Sequence, residues 1–157
     1  NTKIDRSIKA GAMAMGAKVR IRSIAGNLPM LQNKHMNNIY LKNAENIVGK
    51  NNVIIHPDDQ SGGSTDMGDL SQLLPIIHPR SGGAEGTGHG NDYFIKDYEK
   101  SVINPAKSMA TTIIDLLWPD DMQINEVIKN HKPNYSISEY IALQKKRMGN
   151  DFYDYSS

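Results

Sequence analysis

Two short unbroken apolar runs, Val53-Ile54-Ile55 and Leu73-Leu74-Pro75-Ile76-Ile77, constrain this chain more than any other feature. Each is followed in the chain by a glycine-rich loop, Gln60 to Asp66 after the first and Arg80 to Gly90 after the second. Continuous apolar runs bounded by turn residues are the pattern of strands buried on both faces, as in an α/β sheet covered by helices. Pro75 has no N–H to give to a ladder, which moves the second run toward a sheet edge. Loops of this kind at strand ends are where α/β proteins hold their ligands. The expected class is therefore α/β, with its chemistry in loops.

The flanking segments read as helices and one strand. Ile4, Ile8, Ala12 and Met15 form one apolar stripe of a helix that Gly16 ends. Lys18 to Ile24 then alternates charged and apolar side chains as far as Arg22, which suits an antiparallel or edge strand with one face packed. Ala25-Gly26-Asn27-Leu28-Pro29 breaks the pattern and reads as a crossing between domains. A second helix is expected over His35 to Val48, closed by Gly49. A third is expected to open with Asn104 as N-cap and Pro105 at its first position, carrying Met109, Ala110, Ile113, Ile114, Leu117 and Trp118 as far as Pro119. Two more amphipathic helices are expected, one around Met122 to Asn130 and one from the capping box Ser136-Ile137-Ser138-Glu139 to Met148. Asp151 to Ser157 is expected to fray.

Composition narrows the function classes. The 157 residues, 38% apolar and 22% charged, are globular in composition, and no apolar run approaches the about 20 residues that span a bilayer. The chain starts without an initiator Met or a secretory apolar core, so it reads as a soluble protein truncated or processed at its front. With no cysteine there is no disulfide framework, thiolate metal site or cysteine nucleophile, and a reducing cytoplasm is the natural location. The net charge of +1 hides an asymmetry. Residues 1–50 carry nine Lys/Arg against two Asp/Glu, residues 51–128 four against twelve, and residues 129–157 five against three. The basic residues of the first third lie singly in apolar patterns without aromatic neighbours, which argues against nucleic acid. The acidic middle, with its glycine-rich loops, offers the oxygen and imidazole groups that a divalent cation takes.

Five histidines are the scarce resource: His35, His56, His78, His89 and His131. No two have the i, i+4 spacing of a helical zinc motif, no His-x-His pair occurs, and the His-x-Asp spacing occurs at His56-Pro57-Asp58. His56 and His78 precede prolines and read as strand ends, and His35 and His131 fall on expected helices. His89 stands apart, because Gly86, Gly88 and Gly90 strip the surrounding chain of side chains and let backbone bend closely around a ligand or ion. The Gly62-Gly63-Ser64-Thr65-Asp66 turn could present N–H groups to an anion such as a substrate carboxylate. It lacks the lysine of a P-loop, and neither a GxGxxG nor a Gly-x-Ser-x-Gly elbow is present.

Four motifs in order carry a resemblance: Gly63-Ser64-Thr65-Asp66-Met67-Gly68-Asp69-Leu70-Ser71, Pro75-Ile76-Ile77-His78-Pro79, Gly86-Thr87-Gly88-His89-Gly90-Asn91-Asp92-Tyr93 and Asn104-Pro105-Ala106-Lys107. Together they resemble the aminoacylase and carboxypeptidase type of metallo-amidohydrolase, most closely its aminobenzoyl-glutamate hydrolase branch. The resemblance covers residues 1 to about 120 and implies the C-terminal part of a di-metal, peptidase-like α/β catalytic domain. It implies that residues 1–25 are the last helix and strand of an inserted α+β dimerisation (lid) domain. Residues 26–119 would then return to the catalytic domain, with 120–157 a helical C-terminal extension. His89 matches the family's last metal ligand, and Gly62, Gly63, Ser64, Thr65 and Asp66 match the segment lining the substrate pocket.

In the family the metal-binding His-x-Asp pair, bridging Asp, Glu-Glu general base and further carboxylate ligand lie upstream of the matched motifs, and neither they nor the lid histidine are matched by these residues. One imidazole cannot build a catalytic zinc site, which takes about three protein ligands. The resemblance therefore implies a segment of an enzyme that uses two divalent ions, Zn or Mn, and a metal-activated water to hydrolyse a small amide substrate, as a homodimer through the inserted domain. The segment alone is expected to be inactive. Two alternatives stand beside it: a non-catalytic relative or partner-binding segment that keeps the fold, and an unrelated small α/β ligand-binding domain.

Overall fold

The computed structural model describes residues 2–56, 64–118, 120 and 122–156. It is a mixed structure of helices and small sheets that divides into two compact units, residues 1–27 with 135–157 and residues 28–134.

The first unit is built on a two-stranded antiparallel sheet. Helix α1 (Thr2–Ala14) ends where Gly16 takes φ 59, its N–H bonding Met13 C=O at 3.1 Å while Ala17 N–H bonds Ala12 C=O at 2.9 Å. This left-handed C-terminal stop is the one glycine supplies most easily. Strand β1 (Lys18–Ser23) follows and pairs with β4 (Gly149–Asp154), placing Lys18 opposite Asp154, Arg20 opposite Phe152 and Ile21 opposite Asp151. Ile21 is the buried residue of β1. Lys9 from α1 lies over the Tyr153 ring at 4.1 Å, and Tyr153 stacks on Tyr155 at 6.3 Å. Asp154 closes a 2.9 Å ion pair with Lys18, and hydrogen bonds from Ser156, together with Lys18, hold its carboxyl below the usual aspartate range.

Residues 149–154, most of which fall in the tail expected to fray, therefore form a strand. Phe152 and Tyr153 bring strand propensity, and β1 offers them a ladder from the far end of the chain. A two-stranded sheet is marginal even when intact. Truncation after Met148 is accordingly expected to abolish amide protection in β1, read by hydrogen exchange, and to leave the second unit's protection unchanged.

Helix α6 (Ile137–Arg147) leads into β4 and carries the expected capping box. Ser136 Oγ accepts from Glu139 N–H at 3.3 Å, and the Glu139 carboxylate accepts from Ser136 N–H at 2.8 Å. The Ser136 bonds hold the Glu139 carboxyl below the usual glutamate range. A depressed carboxyl contributes stability that is present above its unfolded value and lost as pH falls through the folded one. Ser136→Ala is expected to destabilise α6 by about 1 kcal/mol and to weaken this acid-side dependence, measured by helical ellipticity from pH 7 to pH 3.

The second unit holds α2 (Lys34–Val48), α3 (Met67–Leu70), β2 (Ala84–Glu85), β3 (Phe94–Ile95), α4 (Asn104–Leu117) and α5 (Met122–Asn130). Asn33 caps α2, its side chain accepting from Met36 N–H at 2.9 Å, and Gly49 ends the helix at φ 84. Helices α2 and α4 meet through polar groups. Asn43 donates to Asp115 at 2.7 Å, Ser108 and Thr112 are buried, and burial pushes the Tyr40 hydroxyl up against the opposing effect of its bond to Ser108. Leu116 and, from α5, Val127 at 1% exposure give this unit apolar core, and His35 ties α2 to α5 through a 2.7 Å bond to Gln123.

Several expectations are corrected here. The runs 53–55 and 73–77 form no strands, and the sheets among the described residues are two antiparallel pairs, β1 with β4 and β2 with β3. Ile54 and Ile55 are 77% and 62% exposed. Leu73 and Leu74 close a turn on the Leu70 carbonyl, whereas Ile76 and Ile77 are buried outside any helix or strand, where the Ile76 carbonyl accepts from Asn33 N–H. A continuous apolar run becomes a strand only where neighbouring strands pair with it. Asn104 is not an N-cap, because a π-helical turn, Glu99–Ile103, runs into α4 and Asn104 N–H bonds Glu99 C=O. Such a turn lets helical chain continue into Pro105, whose ring nitrogen cannot donate. Of the helices within 120–157, α5 belongs to the second unit and α6 to the first.

Candidate functional site

The Gly86 to Asp92 loop is the tip of the β2–β3 hairpin, in which Ala84 pairs with Ile95 and Glu85 with Phe94. Gly86 opens it at φ 94, a left-handed position where a Cβ would run into the Asp92 carbonyl. Asp92 staples the loop by accepting from Thr87 N–H at 3.2 Å and from Thr87 Oγ1 at 3.4 Å. Gly90 N–H closes a turn on the Thr87 carbonyl at 2.7 Å, and His89 occupies the third position of that turn at φ 65. Positive φ at this position favours glycine or asparagine, and a non-glycine residue there costs of order 1–2 kcal/mol. Histidine is thus held in a costly conformation, with its side chain exposed at the hairpin tip.

The second predicted site divides. Gly62 and Gly63 lie outside the described residues. Ser64 and Asp66 are exposed and Thr65 is half-buried; Thr65 Oγ1 bonds the Asp66 carboxylate at 3.3 Å, and the Asp66 carbonyl receives the N–H groups of Asp69 and Leu70 at the start of α3. The rest of that motif is structural. Asp69 accepts from Leu28 N–H at 3.0 Å, Ser71 accepts from Leu31 N–H at 3.0 Å and donates to Gly68 C=O at 2.6 Å, and Gln72 donates to Pro29 C=O at 2.6 Å. Gly68, Ser71 and Gln72 are buried, so this segment clamps residues 28–31 with satisfied polar groups. Sequence reasoning has Ser71 only as the end of a motif and passes over Gln72; their polar side chains carry no periodic signal that marks them as buried.

The other histidines have local roles. His131 lies one residue past α5 with its Nε2 3.4 Å from the Leu73 carbonyl, and the His78 N–H donates to Gln32 at 3.0 Å. His78 Nδ1 is buried without a hydrogen-bond partner, and His56 is exposed.

Among the described residues no three His, Asp or Glu side chains are grouped so as to hold a metal ion. Asp92, the acid nearest His89 in sequence, is engaged by Thr87. No three-ligand centre is therefore assembled around His89 among the described residues. A polar cleft of about 200 Å³ is walled by Asn33, Lys34, Ser71, His131, Lys132 and Asn134 among others, and neither His89 nor Thr65 or Asp66 lines it.

No helix among the described residues is long and apolar enough to cross a membrane. Comparison with family models, with curated proteins and with solved structures finds no match to this chain.

Proposed function

We propose that this chain is the C-terminal portion of a metal-dependent amidohydrolase that cleaves the amide bond of an N-acyl amino acid, an aminobenzoyl-glutamate-like compound or a small peptide. Its support in sequence is the ordered set of four motifs. In the intact enzyme His89 would hold one of two divalent ions, which would supply a metal-activated water, and the Gly62-Gly63-Ser64-Thr65-Asp66 segment would line the substrate pocket.

The observation that carries the reading is uncovered apolar surface. A compact protein of 17.4 kDa exposes about 7,900 Å², and two separate compact bodies of these two units' sizes about 9,300 Å². This chain exposes 11987 Å². Much of the apolar share is patterned for burial. The stripe Ile113, Ile114, Leu117 and Trp118 on α4 is 53%, 57%, 52% and 75% exposed, and the runs that read as sheet strands include exposed Ile54, Ile55 and Leu74. Exposed apolar side chains gathered in a stripe, as on α4, mark a contact face. A catalytic domain whose remaining strands belong to another part of the polypeptide has this appearance.

The test is the intact mass of the source protein measured together with its metal content. A mass well above 17.4 kDa with about two transition-metal ions is the expected result. A mass near 17.4 kDa with no bound metal overturns the reading in favour of a non-catalytic, partner-binding protein. Purified alone, the 157-residue chain is expected to show no metal-dependent hydrolysis of N-acyl amino acids.

A further inference from the structure

We draw no further inference here: the strongest candidate, the uncovered apolar face of α4 formed by Ile113, Ile114, Leu117 and Trp118, carries nothing further because nothing in the structure shows what covers it.

Discussion

Gly68→Ala is expected to destabilise the 28–134 unit by about 3 kcal/mol, a large loss for a single added methyl. Gly68 is buried in α3, and a Cβ built there runs into the Leu28 carbonyl group. The neighbours are backbone, so no side chain can rotate away. Nor can the backbone retreat cheaply, because Asp69, Ser71 and Gln72 hold residues 28–31 from the same short segment. In an open helical position the same substitution would gain up to about 1 kcal/mol, so the expected sign is opposite to that of helix propensity. Thermal unfolding reads the effect as a fall of roughly 12–20 °C in the midpoint of this unit. Gly88→Ala is the control: nothing lies within 4 Å of a Cβ there, and its φ is not in the left-handed region. A midpoint unchanged by Gly68→Ala would show that the 28–31 clamp is not held as described.

In the longer protein that the proposed function requires, His89→Ala is expected to lower bound metal from about two ions toward one. Turnover should fall by at least ~100-fold, since losing even an outer-shell partner of a metal ligand costs 10–100-fold. In the 157-residue chain the same substitution should change stability by no more than about 0.5 kcal/mol, because the side chain is exposed. The two readouts separate a ligand from a structural residue. Full metal occupancy and activity in the variant would remove His89 from the site and leave its φ of 65 without a function. Gly86→Ala bears on the same loop from the backbone side: it strains the hairpin at φ 94 and should lower metal content only by displacing His89.

The elements that are legible in the sequence are those written in nearest-neighbour chemistry. The Ser136-x-x-Glu139 capping box, the left-handed stop at Gly16, the alternation in Lys18 to Arg22 and the end of α2 at Gly49 each depend on residues within about one turn of each other. His89 stands out through the glycines around it, and those glycines do build a tight hairpin tip. The clamp of Asp69, Ser71 and Gln72 on residues 28–31 is not legible. Its partners are about 40 residues apart in the chain, and local pattern carries no term for such a bond.

The same division explains the errors. Val53 to Ile55 and Leu73 to Ile77 have the composition of buried strands, yet a strand exists only through the ladder of another segment, and no described segment supplies one. The tail from Asp151 reads as frayed because β1, its partner, lies more than 120 residues earlier. Helix α4 is expected on the strength of its apolar stripe, but the structure turns Ser108 and Thr112 inward and leaves Ile113 and Ile114 outside, because α2 presents Asn43 and Tyr40 to it. Amino-acid order thus sufficed for α1, α2, α4, α5 and α6 and for where they stop, because those choices are made by hydrogen bonds and caps within a few residues, but it did not show α3 or the π-helical turn before α4. Which face of each helix is buried, which strands pair and which polar residues are structural were settled by contacts distant in the chain, where the free energy of a segment depends on what meets it.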